Sequence, residues 1–187
     1  MAKINFDKDV TGTTGRGAAY WAKVTKLSEH GKYELNLHLA DEQANEMFAT
    51  LQPLLDDAVK LTTESGKTGF NVAELHKGQD DKGRYIFKFK NPELSKNGTS
   101  QKPKFFDKFG KHIQDWDALI GNESVIKVQF WAKPYHMASS NTVGISMRMN
   151  AIQVIDLVEY GAGGGGFGDE SDDGSAPFTP DTPNEDF

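Results

Sequence analysis

Two stretches of the chain interleave aromatic rings with positive charge: Arg84-Tyr85-Ile86-Phe87-Lys88-Phe89-Lys90 and Lys102-Pro103-Lys104-Phe105-Phe106-Asp107-Lys108-Phe109. Single-stranded nucleic acid needs that mixture. Lysine and arginine neutralise phosphates and release their counterions. An exposed aromatic face stacks on an unpaired base, worth about 1–3 kcal/mol per base. Trp21-Ala22-Lys23 and Trp131-Ala132-Lys133-Pro134-Tyr135-His136 show the same pairing of ring and lysine. Over residues 77–111 there are ten basic residues and four acidic ones, a local surplus suited to a polyanion.

Not every ring in these stretches is free to stack. Tyr85, Phe87 and Phe89 alternate as core-facing strand residues do, which leaves Lys88 and Lys90 on the opposite face. Tyr135 follows Pro134 and is expected to stack, Trp131 suits a core and a stacking position equally, and Trp116 between two aspartates is expected to pack. The candidate DNA-binding residues are Trp21, Lys23, Arg84, Lys88, Lys90, Lys104, Phe109, Lys127, Trp131, Lys133 and Tyr135.

The net charge of −6 hides a split along the chain. Residues 167–187 carry seven acids and no Lys or Arg; setting them aside leaves 20 acids against 21 bases. Six glycines in 161–168 read as a flexible linker, and the Asp/Glu/Pro/Ser/Thr composition of 169–187 predicts a disordered acidic tail. The expected division is therefore a binding domain over 1–160 and a linker with tail over 161–187. Acids combined with an aromatic, as in Asp181, Glu185, Asp186 and Phe187, make a docking peptide for a basic, apolar groove. A tether gives such a peptide a high effective concentration at its own protein's groove, so it can hold the DNA site until DNA displaces it.

Other chemistries find little support. The chain has no cysteine, which excludes disulfides, thiolate zinc sites and cysteine nucleophiles. The five histidines lie far apart without ligand spacing, and neither a metal nor a cofactor is expected. Ser65-Gly66-Lys67-Thr68 imitates the end of a phosphate-binding loop, but Leu61 stands where the first glycine belongs. No nucleophile–base or paired-carboxylate motif argues for an enzyme. The first seven residues are too polar for a signal peptide and no stretch is apolar enough to span a membrane, so a cytoplasmic protein is expected.

The elements that must position these residues are mainly strands. Tyr33, Leu35, Leu37 and Leu39 alternate with polar residues, and Tyr20–Val24 forms a hairpin with them. Further strands are expected over 84–90, 104–107, 125–132 and 142–158, with residues 1–16 and 63–83 as loop. The inward phase of the last strand slips near Asn150-Ala151, which predicts a bulge. Ala44, Met47, Phe48, Leu51, Leu54, Leu55 and Ala58 follow helical spacing, giving one helix over 41–62, capped by Asp41 and kinked or split at Pro53. About five to seven strands with one inserted helix fit an OB-fold barrel, a β-sandwich or a split α+β sheet.

Four segments together resemble the single-stranded DNA-binding proteins of short-tailed coliphages and related phages. They are Phe87-Lys88-Phe89-Lys90; Leu119-Ile120-Gly121 followed by Val125-Ile126-Lys127-Val128 and Pro134-Tyr135; Asn141-Thr142-Val143-Gly144 leading into Val154–Tyr160; and Glu185-Asp186-Phe187. The similarity covers mainly 84–166 and the tail. It implies an OB-fold-type Greek-key β-barrel with one inserted α-helix, and sequence-independent binding of single-stranded DNA in phage replication, recombination and repair. It also implies a tail that competes with DNA and contacts DNA polymerase and helicase, and homodimers. Carried over by position, Lys88 and Lys90 face phosphates, Tyr135 stacks and Phe187 anchors the tail. The loop after Lys90 and a shorter, less acidic tail depart from the pattern. An RNA-binding or strand-annealing protein and a scaffold with a solubilising tail are the alternatives.

Overall fold

Leu35, Leu37, Phe87, Phe89, Val128, Phe130, Met149 and Ile152 are withdrawn from solvent almost completely, and the fold is the arrangement that brings them together. The computed structural model describes residues 4–159. In chain order the elements are β1 (Val10–Thr13), β2 (Gly17–Lys23), β3 (Lys32–Leu39), α1 (Asp41–Glu64), β4 (Asn71–Val72), β5 (Tyr85–Pro92), β6 (Lys104–Phe106), β7 (His112–Ile113), β8 (Val125–Met137) and β9 (Thr142–Asp156). Hydrogen-bonded neighbours run β5-β3-β2-β8-β9-β6-β7, with β1 along β8 and β4 along β9. The sheet then returns on itself: the side chain of Asn91 on β5 bonds the backbone of Met149 on β9. The ring β5-β3-β2-β8-β9 is a five-stranded Greek-key barrel of the OB type.

The strands alternate as their sequences require. In β8, residues 126, 128, 130, 132 and 134 point inward and the odd-numbered ones outward. The expected slip is a bulge: Gln129 pairs with Ala151 and Phe130 with Met149, so Asn150 is the extra residue. Such a bulge turns a long strand sharply, as a small closed barrel demands.

Some boundaries differ from expectation. The segment 1–16 contains β1, and 63–83 contains β4; both are too short to show a period. Ala40 occupies the helix N-cap without a side-chain bond, and Asp41 is the first helical residue. Asp41 and Glu42 there favour the positive end of the helix dipole instead of capping it. Pro53 does not split α1 into two elements; the helix runs without interruption to Glu64. Both Pro53 and Ala49, whose carbonyl loses its partner, are exposed, so water can take the missing bond. Ala44, Met47, Leu51, Leu54, Leu55 and Ala58 bury the opposite stripe, and α1 packs against β8 and β9. Among the described residues no helix is long and apolar enough to cross a membrane.

Candidate nucleic-acid interface

The outward row of β8 is Lys127, Gln129, Trp131, Lys133 and Tyr135. Across β9, Arg148 stands opposite Trp131, Ser146 opposite Lys133 and Gly144 opposite Tyr135. On the other side β1 sets Thr11 beside Trp131 and Thr13 beside Gln129. The Arg148 guanidinium lies 5.3 Å from the centre of the Trp131 ring and the Lys133 ammonium 6.0 Å from it. Trp131 is thus an outer-face residue, half-buried between two cations. β6 extends the same face: its pairing with β9 buries Phe105 and turns Lys104 and Phe106 outward. Among the described residues, Lys104, Lys108, Lys127, Lys133 and Arg148 form no ion pair with a carboxylate.

The turn between β6 and β7 walls this face. Asp107 Oδ1 accepts the backbone N–H groups of Phe109 (2.9 Å) and Lys111 (2.8 Å), and Gly110 takes the left-handed conformation the turn needs (φ +81°). Gln153 of β9 donates to the carbonyls of Asp107 (3.1 Å) and Lys108 (3.3 Å). The turn is fastened to the barrel, yet Phe109 at its tip is 84% exposed with the Lys108 ammonium 5.1 Å from its ring. Thr13, Phe106, Gly110, Lys127, Gln129 and Gln153 line a groove of about 190 Å³ between turn and sheet. Phe105 turns inward and stacks on Trp116 at 5.7 Å, the packing role expected of that tryptophan. Tyr135 ends the outward row half-buried, its phenol end laid over Gly144, where an added Cβ would come within 2.7 Å of the hydroxyl.

A second set of candidates sits on the outer face of β2, β3 and β5. Register places Glu34 beside Lys23 and Lys90, and Asn36 beside Tyr20 and Lys88. The Lys88 and Lys90 ammoniums lie 3.8 and 3.5 Å from Glu34. Burial would raise the Glu34 pKa, but the two lysines outweigh it and hold it below its ordinary value. Burial and Lys90 together lower that of Lys88. Trp21 lies in the irregularity between Tyr20 and Lys23, 67% exposed, in a left-handed conformation (φ +52°).

Arg84 corrects the sequence reading. It was expected at phosphates, but its side chain is only 17% exposed and four of its five donors are spent inside the protein. Nε bonds Asp80 (2.8 Å), Nη1 bonds Glu123 Oε2 (2.9 Å), and Nη2 bonds Glu123 Oε1 (3.0 Å) and the Tyr20 hydroxyl (3.1 Å). The Glu123 hydrogen bonds raise the Arg84 pKa further above its ordinary value. Arg84, Lys82 and Tyr20 hold Glu123 far below the usual carboxylate range. Asp80, which burial alone would raise, is held low by His38, Arg84 and the Lys82 backbone. His38 Nδ1 lies 2.8 Å from Asp80, and its ring stacks on Tyr20 with centroids 4.0 Å apart. This cluster fixes the end of the β2/β3/β5 face and commits the Arg84 charge to Asp80 and Glu123.

The candidates therefore fall into two groups. Lys104, Phe109, Lys127, Trp131, Lys133 and Tyr135 share the β8/β9/β6 side; Trp21, Lys23, Lys88 and Lys90 share the β2/β3/β5 side. Arg148 was missed, although the inward phase of Val143, Met147 and Met149 already turns residue 148 outward. Asp181, Glu185, Asp186 and Phe187 lie outside the described residues. No group of three or more metal-ligating side chains is assembled among the described residues.

No protein-family model matches the chain, and no curated protein sequence does. Solved structures do match by shape. The crystal structure of gp2.5, a single-stranded DNA-binding protein encoded by bacteriophage T7, superposes with a TM-score of 0.72 at 18% identity, covering 92% of this chain and 100% of that one. The single-stranded DNA-binding protein from bacteriophage Enc34 gives a TM-score of 0.53 at 15% identity, covering 86% and 87%. The same protein in complex with single-stranded DNA gives 0.51 at 14%, covering 79% and 86%. The described barrel, with its inserted helix, thus has the OB fold of these bacteriophage single-stranded DNA-binding proteins.

Proposed function

We propose that the protein binds single-stranded DNA without sequence preference and without catalysing a reaction. The observation that carries this is Trp131, presented on the outer face of an OB barrel between Lys133 and Arg148, among basic side chains that no carboxylate of the described residues pairs with. Trp131 stacks on a base; Lys104, Lys127, Lys133 and Arg148 take phosphates. Stacking and phosphate pairing act on every nucleotide alike, so affinity comes with little discrimination. The fold it shares with phage DNA-binding proteins supports a place in phage DNA replication, recombination and repair, coating and protecting exposed strands.

The acidic segment 169–187 belongs to the same reading. Its charge mimics a nucleic-acid backbone, and Phe187 supplies the ring that a base would. It competes with DNA for the basic face and, once displaced, is free to dock phage replication proteins such as polymerase and helicase, or a second copy of the chain in a homodimer.

The test is fluorescence anisotropy of labelled oligo-dT over a salt series, with the full chain and with residues 169–187 deleted. Salt-sensitive binding that tightens on deletion is expected. Absence of binding by both forms at low salt overturns the proposal, and tighter binding to an oligo-U of equal length reassigns the ligand as RNA.

A further inference from the structure

Phe109 stands at the tip of a turn that is fastened to the barrel. Its backbone is held by Asp107 Oδ1, and the turn's carbonyls by Gln153. Lys108 and Lys111 flank the ring, both exposed. The tip is a fixed, positively charged knob with an apolar end. A ring held out in water this way is already arranged to enter a partner, with little ordering left to be done.

The same chain carries a hollow of complementary character. Phe48 of α1, His76 and Tyr85 meet edge to face, their ring centres 5.1 to 5.7 Å apart. With Leu55 and Val72 they line an open cleft of about 430 Å³ between the helix and the segment that follows β4. Val72, at 48% exposure, leaves its apolar surface in water there. The border is acidic. Residues 41–64 and 71–77 hold seven acids against Lys60 and Lys77. Glu74 lines the cleft and Asp56 receives a hydrogen bond from its wall residue Gln52; neither forms an ion pair among the described residues. Such a border repels a phosphate backbone and the acidic segment 169–187 alike, and attracts a ring flanked by ammoniums.

Knob and cleft cannot meet within one molecule. Both lie along one edge of β9, with the Asn91 seam between them: Val72 pairs with Val143, and Phe105 with Ile152, nine positions on (152 against 143). In an extended strand those anchor points are on the order of 30 Å apart. We infer that the Phe109 tip of one copy seats in the Phe48–His76–Tyr85 cleft of a second copy, with Lys108 and Lys111 facing Glu74 and Asp56. The two surfaces differ, so the contact runs head to tail. It leaves one knob and one cleft free and repeats along a row, where a two-fold dimer would close. One ring and its flanking charges cover far less than a standard interface, so free copies associate weakly. A strand that holds copies side by side raises their effective concentration, and the contact then favours filling neighbouring sites. The contact stands apart from the single-stranded DNA reading; its role in coating a strand rests on that reading.

The chain has no cysteine, so introduced thiols report the contact alone. Lys111→Cys marks the knob and Gln52→Cys the cleft wall. A short bismaleimide is added to full chains on oligo-dT of about 60 nucleotides, room for several barrels, and to free chains near millimolar concentration. Neither variant alone should cross-link, their mixture should give one-to-one pairs, and the double variant should give a ladder of three and more copies. Val72→Asp or Phe109→Ala in the double variant should cut the ladder at least fivefold. Val72→Asp should leave affinity for oligo-dT of about 6 nucleotides, which holds one copy, within twofold. Homodimers from either single variant would show a two-fold contact, and a ladder indifferent to Val72→Asp and Phe109→Ala would show random collision. Either result overturns the inference, as does a mixture that stays unlinked both on the strand and in free protein. A ladder in free protein from a chain that binds neither oligonucleotide would sink the DNA reading and leave the contact standing.

Discussion

Asn91 on β5 and Met149 on β9 exchange two hydrogen bonds: the Asn91 side-chain amide donates to the Met149 carbonyl at 2.7 Å, and the Met149 N–H donates to Asn91 Oδ1 at 2.8 Å. One amide side chain stands in for a strand backbone and seals the barrel where the β-ladder stops. Its second amide hydrogen goes to the Gln101 carbonyl at 2.7 Å. Asn91→Ala leaves buried backbone groups of β9 without partners, so a loss of about 2–4 kcal/mol is expected from urea unfolding. A loss under about 0.5 kcal/mol would show that water enters the seam and that the barrel does not depend on it.

That seam was not legible in the sequence, whereas much of the barrel was. The alternation of β3 and β8, the helical stripe of α1 and the phase slip at Asn150 are periodic signals carried by neighbouring residues. Asn91 opens what reads as a polar loop, and its partner lies 58 residues further on. Arg84 misled for the same reason. Its local company is basic and aromatic, but its charge is answered by Glu123, which only the fold brings near. Trp131 was ambiguous because a half-buried row supplies both core and surface; the neighbour that settles it, Arg148, comes from the adjacent strand.

Trp131 and Arg148 should fail in different ways. Trp131→Ala removes the stacking ring and should weaken oligo-dT binding by about 1–3 kcal/mol, roughly 5- to 150-fold, with the salt slope nearly intact. Arg148→Ala removes a phosphate charge and should lower the slope of log affinity against log salt by about 0.7. Arg148→Lys keeps the slope but loses the planar contact with Trp131, so its affinity should fall between the two. Identical losses and slopes in all three variants would contradict the division of roles.

Gly144 is required by two neighbours at once. A Cβ there would lie 2.7 Å from the Tyr135 hydroxyl and 2.9 Å from the Ala73 Cβ. Tyr135 can swing outward, but Ala73 is held by its own N–H to the Val143 carbonyl at 2.7 Å and cannot retreat without dragging β4. Gly144→Ala should therefore cost about 1–3 kcal/mol in urea unfolding. Adding Tyr135→Ala should relieve only part of that cost. Full recovery in the double variant would mean that Ala73 yields freely.

Acid should unfold the protein through the cluster around Arg84. The Asp80 carboxylate accepts from His38, from Arg84 Nε, and from the backbone N–H groups of Arg84 (2.9 Å) and Lys82 (3.0 Å). These bonds overcome the effect of burial and hold its folded pKa far below that of an unfolded aspartate, about 3.9. A depressed carboxylate stabilises the fold fully above its unfolded pKa, and the contribution drains away as pH falls toward the folded value. Glu123 shifts in the same direction, but its side chain is 38% exposed, so solvent screens its share and Asp80 should set most of the slope. The urea midpoint is thus expected to change little from pH 8 to about 5, as far as this cluster governs it, and to fall steadily below that. Asp80→Asn should cost about 3 kcal/mol at pH 7, because Arg84 stays behind without its buried partner. The gap between the variant and the parent should narrow as the pH drops toward 3, since the parent then loses what the variant never had. A gap that stays constant across that range would place the acid lability elsewhere in the molecule.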